Sequence, residues 1–484
     1  MEKVTPRLYL FLLMAASLSC VQEEPITINP TQKAIELSEE HLSFGENTTV
    51  NVLEQPSLSV PLRTANYSLP VFQEALYWNL NPDPTAIHLE QMINAWTLNY
   101  PEPPSPELVG IKAEMSVCPW NPENHLLRIG IKVKEMEEST YPTSNYAVYV
   151  DLTTSMADPR KLEVVQAGLR TLVQQLRPED RLGIVAYGGS QVFVLESSLG
   201  TEQDQMLTAI DELTIGGPES NSHINLAYDM LLEHFVEDGH NRLILMTDNN
   251  FDLGPKSQSE LESLILEKSE QDIRFSICTV GRDEVSLEAV HQLAAKVRGT
   301  HHHLDQTETA EALFSTQLPN WYEVVKDVRI QVSFNPVNVA NYRLLGYENR
   351  SVVETVTEIP EPNRNFFGSG ETATLLFELT LVEEPSLDQF PTATINYRYK
   401  LPEQEVNNDR VATFMAGNIP FNESSTEHQF LAAVAGSSLV LAESSFRGNA
   451  SLEEAIDWLE HIIDEDPTGE WESYKALLEQ SLGL

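Results

Sequence analysis

The spacing of apolar and polar residues changes period several times along the chain, and each change marks a boundary. Tyr146 to Leu152 is a continuous apolar run that predicts a buried strand. Lys161 to Leu176 places Leu162, Val165, Leu169, Leu172, Val173 and Leu176 on one helical stripe. Leu182 to Tyr187 and Val192 to Leu195 predict short strands around a Gly188-Gly189-Ser190 turn. Helices are expected near 203–214, 224–236, 258–269 and 286–297, interleaved with apolar strands at Arg242 to Met246 and Ile273 to Val280. This alternation predicts an α/β fold: a doubly wound, mostly parallel sheet with helices on both faces. Such sheets bind ligands beyond the carboxyl ends of their strands, where the strand order switches.

The flanks read differently. After the breaker run Asn81-Pro82-Asp83-Pro84, Ile87, Leu89, Met92, Ile93 and Trp96 recur at helical spacing. Leu127, Ile129, Ile131 and Val133 alternate with Arg128, Gly130 and Lys132, which predicts a half-buried strand. Past residue 320 the period is two again, at Val328, Ile330, Val332 and Phe334 and at Ile395, Tyr397 and Tyr399, with a further strand over Thr372 to Val382. The C-terminal stretch is helical, with Ala455, Ile456, Leu459 and Ile462 on one stripe. The expected segments are an N-terminal α+β region at 49–140, the α/β domain at 143–318, a β-rich region at 320–424 and a helical segment at 425–484.

The N-terminus adds a compartment. Lys3 and Arg7 precede the apolar run Leu8 to Leu18, which ends in Ser-Leu-Ser-Cys at Cys20. That is a charged start, a short apolar core and small residues at a cut. Residues 1–20 resemble a bacterial lipoprotein signal in which Cys20 is acylated, with an ordinary signal peptide as the alternative. Residues 21–48, acidic and Pro-containing, are expected to be a flexible tether. Val21-Gln22-Glu23-Glu24 carries no Asp directly after Cys20, which favours the outer membrane over inner-membrane retention. No later run reaches the ~18 apolar residues needed to span a bilayer. Acidic residues outnumber basic ones 73 to 30, and the net charge of -43 argues against nucleic-acid partners. Beyond Cys20, only Cys118 and Cys278 remain, too few for a disulfide framework, and Cys278 is expected to be a core thiol.

Candidate chemistry gathers at two strand ends. The first buried strand ends in Asp151-Leu152-Thr153-Thr154-Ser155-Met156, and Arg242 to Met246 runs into Thr247-Asp248-Asn249-Asn250. This pattern resembles the metal-ion-dependent adhesion site of von Willebrand factor A domains. The resemblance extends to Ser116 to Pro122, Leu127 to Gly130, Gln175 to Arg181 and Tyr342 to Arg350, and so covers most of residues 55–480. It is similar to a bacterial subfamily sometimes labelled calcium-activated chloride channel-like, a label the lack of spanning runs argues against.

The resemblance implies that Asp151, Thr153, Ser155 and Asp248 hold Mg²⁺, or Ca²⁺ or Mn²⁺ in its place, with an open position for a partner's carboxylate. Hard cations of this kind take oxygen ligands. Thr153 replaces a Ser, and Asn250 replaces an acidic residue. The loop Pro218-Glu219-Ser220-Asn221-Ser222 lacks the expected Thr and aligns Glu219 there, with Ser220 and Ser222 as alternative hydroxyl donors. Two readings follow: a living but more acidic metal site, or a degenerate one on a scaffold domain. In the second, Asp151 caps its loop and Ser155 satisfies backbone donors.

No Gly-x-Ser-x-Gly elbow or His-Glu-x-x-His motif is present, and Gly188-Gly189 is not followed by a phosphate-loop Lys. His301-His302-His303 cannot share one ion if they lie on a strand, because neighbours face opposite ways. The expectation is a binding module without enzymatic activity, acting on a protein partner rather than a small-molecule substrate, anchored to the bacterial cell envelope.

Overall fold

Apolar runs of seven or eight residues need cover on both sides, and the structure supplies it by burying strands between helical layers. The computed structural model describes residues 50–52, 57–61, 67–96, 98–188, 193–216, 224–248, 258–281, 299–346, 366–402, 404–417, 419–466 and 468–484, with Val290, Leu293, Ala294, Lys296 and Val297. All belong to one compact unit. Cys20, the tether, Glu219, Ser220, Ser222 and Asn250 lie outside the described residues.

In chain order, the first part contributes β1 (Val50–Asn51), β2 (Ser57–Pro61), α1 (Ser68–Tyr77), α2 (Leu89–Ile93), β3 (Val109–Val117) and β4 (His125–Val133). The central part follows with β5 (Ser144–Asp151), α3 (Pro159–Gln175), β6 (Arg181–Tyr187), β7 (Phe193–Leu199), α4 (Gln203–Asp211), α5 (Ile224–Glu233), β8 (His240–Thr247), α6 (Gln258–Ser269), β9 (Ile273–Val280), β10 (Thr300–Leu304) and α7 (Thr307–Leu313). The last part is β11 (Glu323–Phe334), β12 (Val339–Leu344), β13 (Phe366–Gly368), β14 (Thr372–Leu381), β15 (Ala393–Lys400), β16 (Asn408–Phe414), α8 (Thr426–Leu441), α9 (Leu452–Ile462) and α10 (Glu470–Leu482).

The central strands form one sheet in the order β10-β9-β8-β5-β6-β7, parallel except for the β6–β7 hairpin. Every residue of β5 and β8 is buried. On one face Tyr146, Val148 and Val150 pack with Val165, Leu169 and Leu172 of α3, Ile210 of α4 and Leu313 of α7. On the other, Ala147 and Tyr149 pack with Ala227, Tyr228 and Leu231 of α5, Ile265 of α6 and the helical residues Val290 and Leu293. This is the doubly wound sheet that the sequence predicts. Asp158 starts α3 by accepting the Arg160 N–H, with Pro159 at the first helical position.

The flanking segments share sheets. β3 and β4 from the first part pair with β14, β12 and β1 in the order β1-β12-β14-β4-β3. β2 pairs with β11, whose other neighbours are β13 and β15, and β16 completes that layer. The two layers meet through aromatic contacts of Phe334 on β11 with Tyr342 on β12 and Phe377 on β14. The stretches at 49–140 and 320–424 are therefore woven into common sheets rather than stacked as separate bodies.

Two expectations need correction. β4 is not half-buried: Leu126 through Ile131 are all inaccessible, because α8 covers the face that Arg128 occupies and Tyr100 lies across Gly130. The helix at 87–96 is shorter than its periodicity suggests and stops at Ile93. Its end is tied off by Asn94, whose Nδ2 donates to the Glu90 and Thr374 carbonyls and whose Oδ1 accepts the Thr374 N–H. The apolar run from Phe430 is α8, a helix buried on all sides by α2, α9, α10 and the β3–β4 sheet. Its Ser437 hydroxyl meets the Tyr474 hydroxyl at 2.7 Å. Among the described residues, no helix is long and apolar enough to cross a membrane. Cys118 and Cys278 are both buried free thiols, and burial pushes Cys278 up to about 12.

Candidate functional site

β5 and β8 are neighbours, and the chain leaves β5 for β6 on one side before returning to β8 on the other. Their carboxyl ends thus lie side by side at the switch in strand order, where a loop from each can converge. β5 delivers Asp151, and β8 delivers Thr247 with Asp248 just beyond it.

Four of the residues expected at the site form one continuous chain of oxygens. Asp151 Oδ1 accepts the Thr153 N–H at 2.9 Å and the Thr153 hydroxyl at 2.7 Å. Thr153 Oγ1 lies 2.9 Å from Ser155 Oγ, and Ser155 donates to Asp248 Oδ1 at 3.1 Å. Asp151 and Asp248 are buried, while Thr153 and Ser155 are half-buried. Burial raises the Asp151 carboxyl above its ordinary value, opposed by the hydrogen bonds from Thr153 and reinforced by the charge of Asp248.

The loop is shaped by close backbone packing. Leu152 donates to the Tyr187 carbonyl at 2.7 Å, and its own carbonyl accepts from Gly216 at 3.0 Å. Gly188, at a φ of 74°, sits so near the Leu152–Thr153 backbone that a β-carbon would overlap it.

Two members were missed by sequence reasoning. Thr247, fully buried, donates to Asp151 Oδ2 at 3.0 Å, so a threonine does reach the first aspartate, from the strand end instead of from the loop after Gly216. Lys161, in the first turn of α3, turns inward. Its ammonium donates to Asp248 Oδ2 at 2.8 Å and to the Ser155 carbonyl at 3.0 Å, and both side chains of the ion pair are buried. The stem of Lys161 runs against Gly281 at the end of β9, where a side chain would crowd it. Lys161 therefore joins both loops of the site and neutralises the outer oxygen of Asp248.

The donor set suits a hard cation. Metal–oxygen bonds of about 2.0–2.1 Å in an octahedral Mg²⁺ shell place adjacent oxygens about 2.9 Å apart. The contacts along Asp151, Thr153, Ser155 and Asp248 Oδ1 span 2.7 to 3.1 Å. Asp151 also caps its own loop, and Ser155 bonds the Asp248 carboxylate.

The histidine run behaves as strand geometry requires. His301 and His303 share one face of β10 and both contact Thr279 Oγ1, at 2.9 and 3.1 Å, while His302 faces Trp321 on the other side. Among the described residues no cluster of three or more His, Cys, Asp or Glu is placed to hold a metal ion.

Three family models match separate stretches of the chain. A family model described as von Willebrand factor type A domain matches residues 146–250. Another, described as von Willebrand factor, matches 36–128, and one described as uncharacterized protein YfbK, C-terminal, matches 320–484. The chain is 27% identical over 466 residues to "Uncharacterized protein YfbK" of Escherichia coli (strain K12), covering 91% of this chain and 80% of the relative. Solved structures similar to it include a von Willebrand factor type A protein from Catenulispora acidiphila, 12% identical, with a TM-score of 0.40 over 74% of this chain and 87% of that one. The ArnB paralog VWA2 from Sulfolobus acidocaldarius is 15% identical, with a TM-score of 0.36 over 78% and 96%.

Proposed function

From a chain that carries a von Willebrand factor type A domain and is homologous to YfbK, we propose a binding protein of the bacterial cell envelope, without enzymatic activity, that engages another protein through the carboxyl end of the β5–β8 sheet. The observation that carries this reading is the unbroken chain of oxygens from Asp151 through Thr153 and Ser155 to Asp248 at the topological switch point. Asp151, Thr153, Ser155 and Asp248 hold a divalent cation, Mg²⁺ or in its place Mn²⁺ or Ca²⁺, and Glu219 adds a carboxylate. The ion, when bound, offers an open position to a carboxylate of the partner. Cys20 carries the lipid that attaches the chain to the outer membrane.

The test is calorimetric titration of the purified chain with Mn²⁺, Mg²⁺ and Ca²⁺ beside Asp151→Ala. Saturable one-site binding that disappears in the variant is expected. Binding that survives Asp151→Ala unchanged sinks the metal part of the proposal. Mass spectrometry of the mature N-terminus checks the anchor, since an unacylated Cys20 removes it.

A second reading has one observation in its favour. The Lys161 ammonium already bridges Asp248 and the Ser155 carbonyl. The domain can then serve as a scaffold that needs no metal, with partner contacts made by the flanking sheets and helices. Asp151→Ala separates the two: partner capture is lost under the metal reading and retained under the scaffold reading.

A further inference from the structure

Outside the A-domain, the buried Arg128 is only partly paired. Arg128 on β4 is 3% exposed. Its Nη2 donates to Glu114 Oε2 at 2.6 Å and to Ser425 Oγ at 3.1 Å. Its Nε and Nη1 have no hydrogen-bond acceptor among the described residues. The guanidinium lies over the Tyr100 ring, 5.5 Å from the centroid. Arg128, Tyr100, Glu114 and Ser425 line a cleft of about 580 Å³ together with Lys112 and Glu427.

Glu114 is already shared and does not reach those donors. Besides Arg128, it accepts the Ser425 N–H at 2.7 Å and the Ser425 hydroxyl at 2.6 Å, and Ser425 is the residue that caps α8. Burial works to raise the Glu114 carboxyl, but the bonds from Ser425 and the charge of Arg128 prevail and hold it below its ordinary value. It is therefore held as an anion with both oxygens bonded. A guanidinium has five N–H donors, and a buried donor without an acceptor is costly. Lys112, exposed on β3, sets a second cation at the rim. Both donors are sealed from solvent, so a ligand reaches them by drawing the guanidinium toward the cleft; there a carbonyl would satisfy the N–H groups alone, whereas a carboxylate also pairs with the charge.

We propose that this cleft binds the carboxylate of a ligand, with Arg128 as the buried anchor, Tyr100 as the apolar surface beside it and Lys112 guiding approach at the mouth. The volume falls within the ~300–1,000 Å³ of small-ligand sites. It suits either a free aromatic or aliphatic acid or the C-terminal residue of a peptide. The site is independent of the cation proposed at Asp151.

The experiment uses the full chain and three probes: N-acetylphenylalanine, its amide, and a short peptide ending in a free phenylalanine carboxylate. Calorimetry should show saturable binding of the acid, weaker for the amide by on the order of tenfold, as expected for losing a charge-assisted bond. Arg128→Lys, which keeps the charge and the Glu114 partner, should cost a similar factor, with thermal unfolding confirming the fold. Lys112→Gln, at an exposed position, should weaken binding several-fold and lessen its salt sensitivity. Tighter binding of the peptide identifies a polypeptide terminus as the source, and tighter binding of the single residue identifies a free acid. Equal binding of acid and amide, no saturable binding of either, or binding unchanged in Arg128→Lys overturns the proposal.

Discussion

Two cation–carboxylate pairs with buried cations, Lys161–Asp248 and Arg128–Glu114, differ in how completely their partners are used. Lys161 sits between two loops, bonded to Asp248 and to the Ser155 carbonyl, inside a network in which Asp151, Thr153, Ser155 and Thr247 also bond one another. Arg128 is as deeply buried, yet only one of its nitrogens is engaged. A lysine presents a compact ammonium that bonds a few oxygens well, whereas arginine spreads five donors over a plane that one glutamate cannot fill. The first centre is organised from within. The second is organised on one side only, toward Glu114 and α8, and unpaired on the other.

The sharpest way to break this comparison is to remove the lysine. Lys161→Met leaves Asp248 buried without its ammonium and should lower stability in urea by about 3–5 kcal/mol. Added Mn²⁺ should return part of that loss, and a change under about 1 kcal/mol would mean that the pair is not what holds the loops. Next is the wall of the arginine centre. A β-carbon at Gly130 would overlap the Tyr100 ring, so Gly130→Ala should cost about 1–3 kcal/mol. Gly183→Ala in the A-domain should cost less, because its obstacle is the flexible end of Met230.

A pH scan sharpens the contrast further. Burial, with the charge of Arg128 behind it and Glu114 opposing, lowers His428 from 6.5 to about 3, and its Nε2 contacts Ser116 Oγ at 3.0 Å. The folded state keeps this ring neutral while the unfolded chain accepts a proton. Its contribution is therefore complete above pH 6.5 and lost as pH falls toward 3. The slope is at most about 1.4 kcal/mol per pH unit. His428→Gln should flatten the acid limb of stability against pH, leaving the share of His240, which burial also lowers. An unchanged slope would show that His428 is already charged when folded. The smallest effect belongs to the surface: Arg170 and Asp211 are bonded but exposed, and Arg170→Ala should shift stability by less than about 0.5 kcal/mol.

Legibility followed the distance along the chain over which partners meet. Asp151, Thr153, Ser155 and Asp248 could be read because they lie at or just beyond the ends of strands whose apolar runs are continuous and local. Lys161 was hidden because a lysine beside a helical stripe ordinarily reads as solvated. The available signal was its place in the first turn of the helix, directly after the Asp151–Ser155 loop, whence a long side chain points back toward it. Arg128 was taken for the wet side of a strand because alternation reports that polar and apolar residues differ. It does not report what covers them, and its cover comes from Ser425 and α8 at the far end of the chain. The shared sheets were invisible for the same reason: nothing near Ile129 in sequence specifies that Leu375 will lie beside it.

That pairing has a consequence for the order in which the protein acquires its shape. β4 and β14 are adjacent in space, yet the whole A-domain is interposed between them in the polypeptide. A chain emerging N-terminus first presents the β3–β4 hairpin long before β14 exists. The A-domain, whose strands and helices find partners within their own stretch, can condense in the meantime. The hairpin then waits with the free backbone edge of β4 unpaired and its Leu127, Ile129 and Ile131 face uncovered, an invitation to misjoin with another chain. The guest domain thus acts as a timer for its host: the faster it condenses and draws its two ends together, the sooner β14 is delivered to the strand that awaits it.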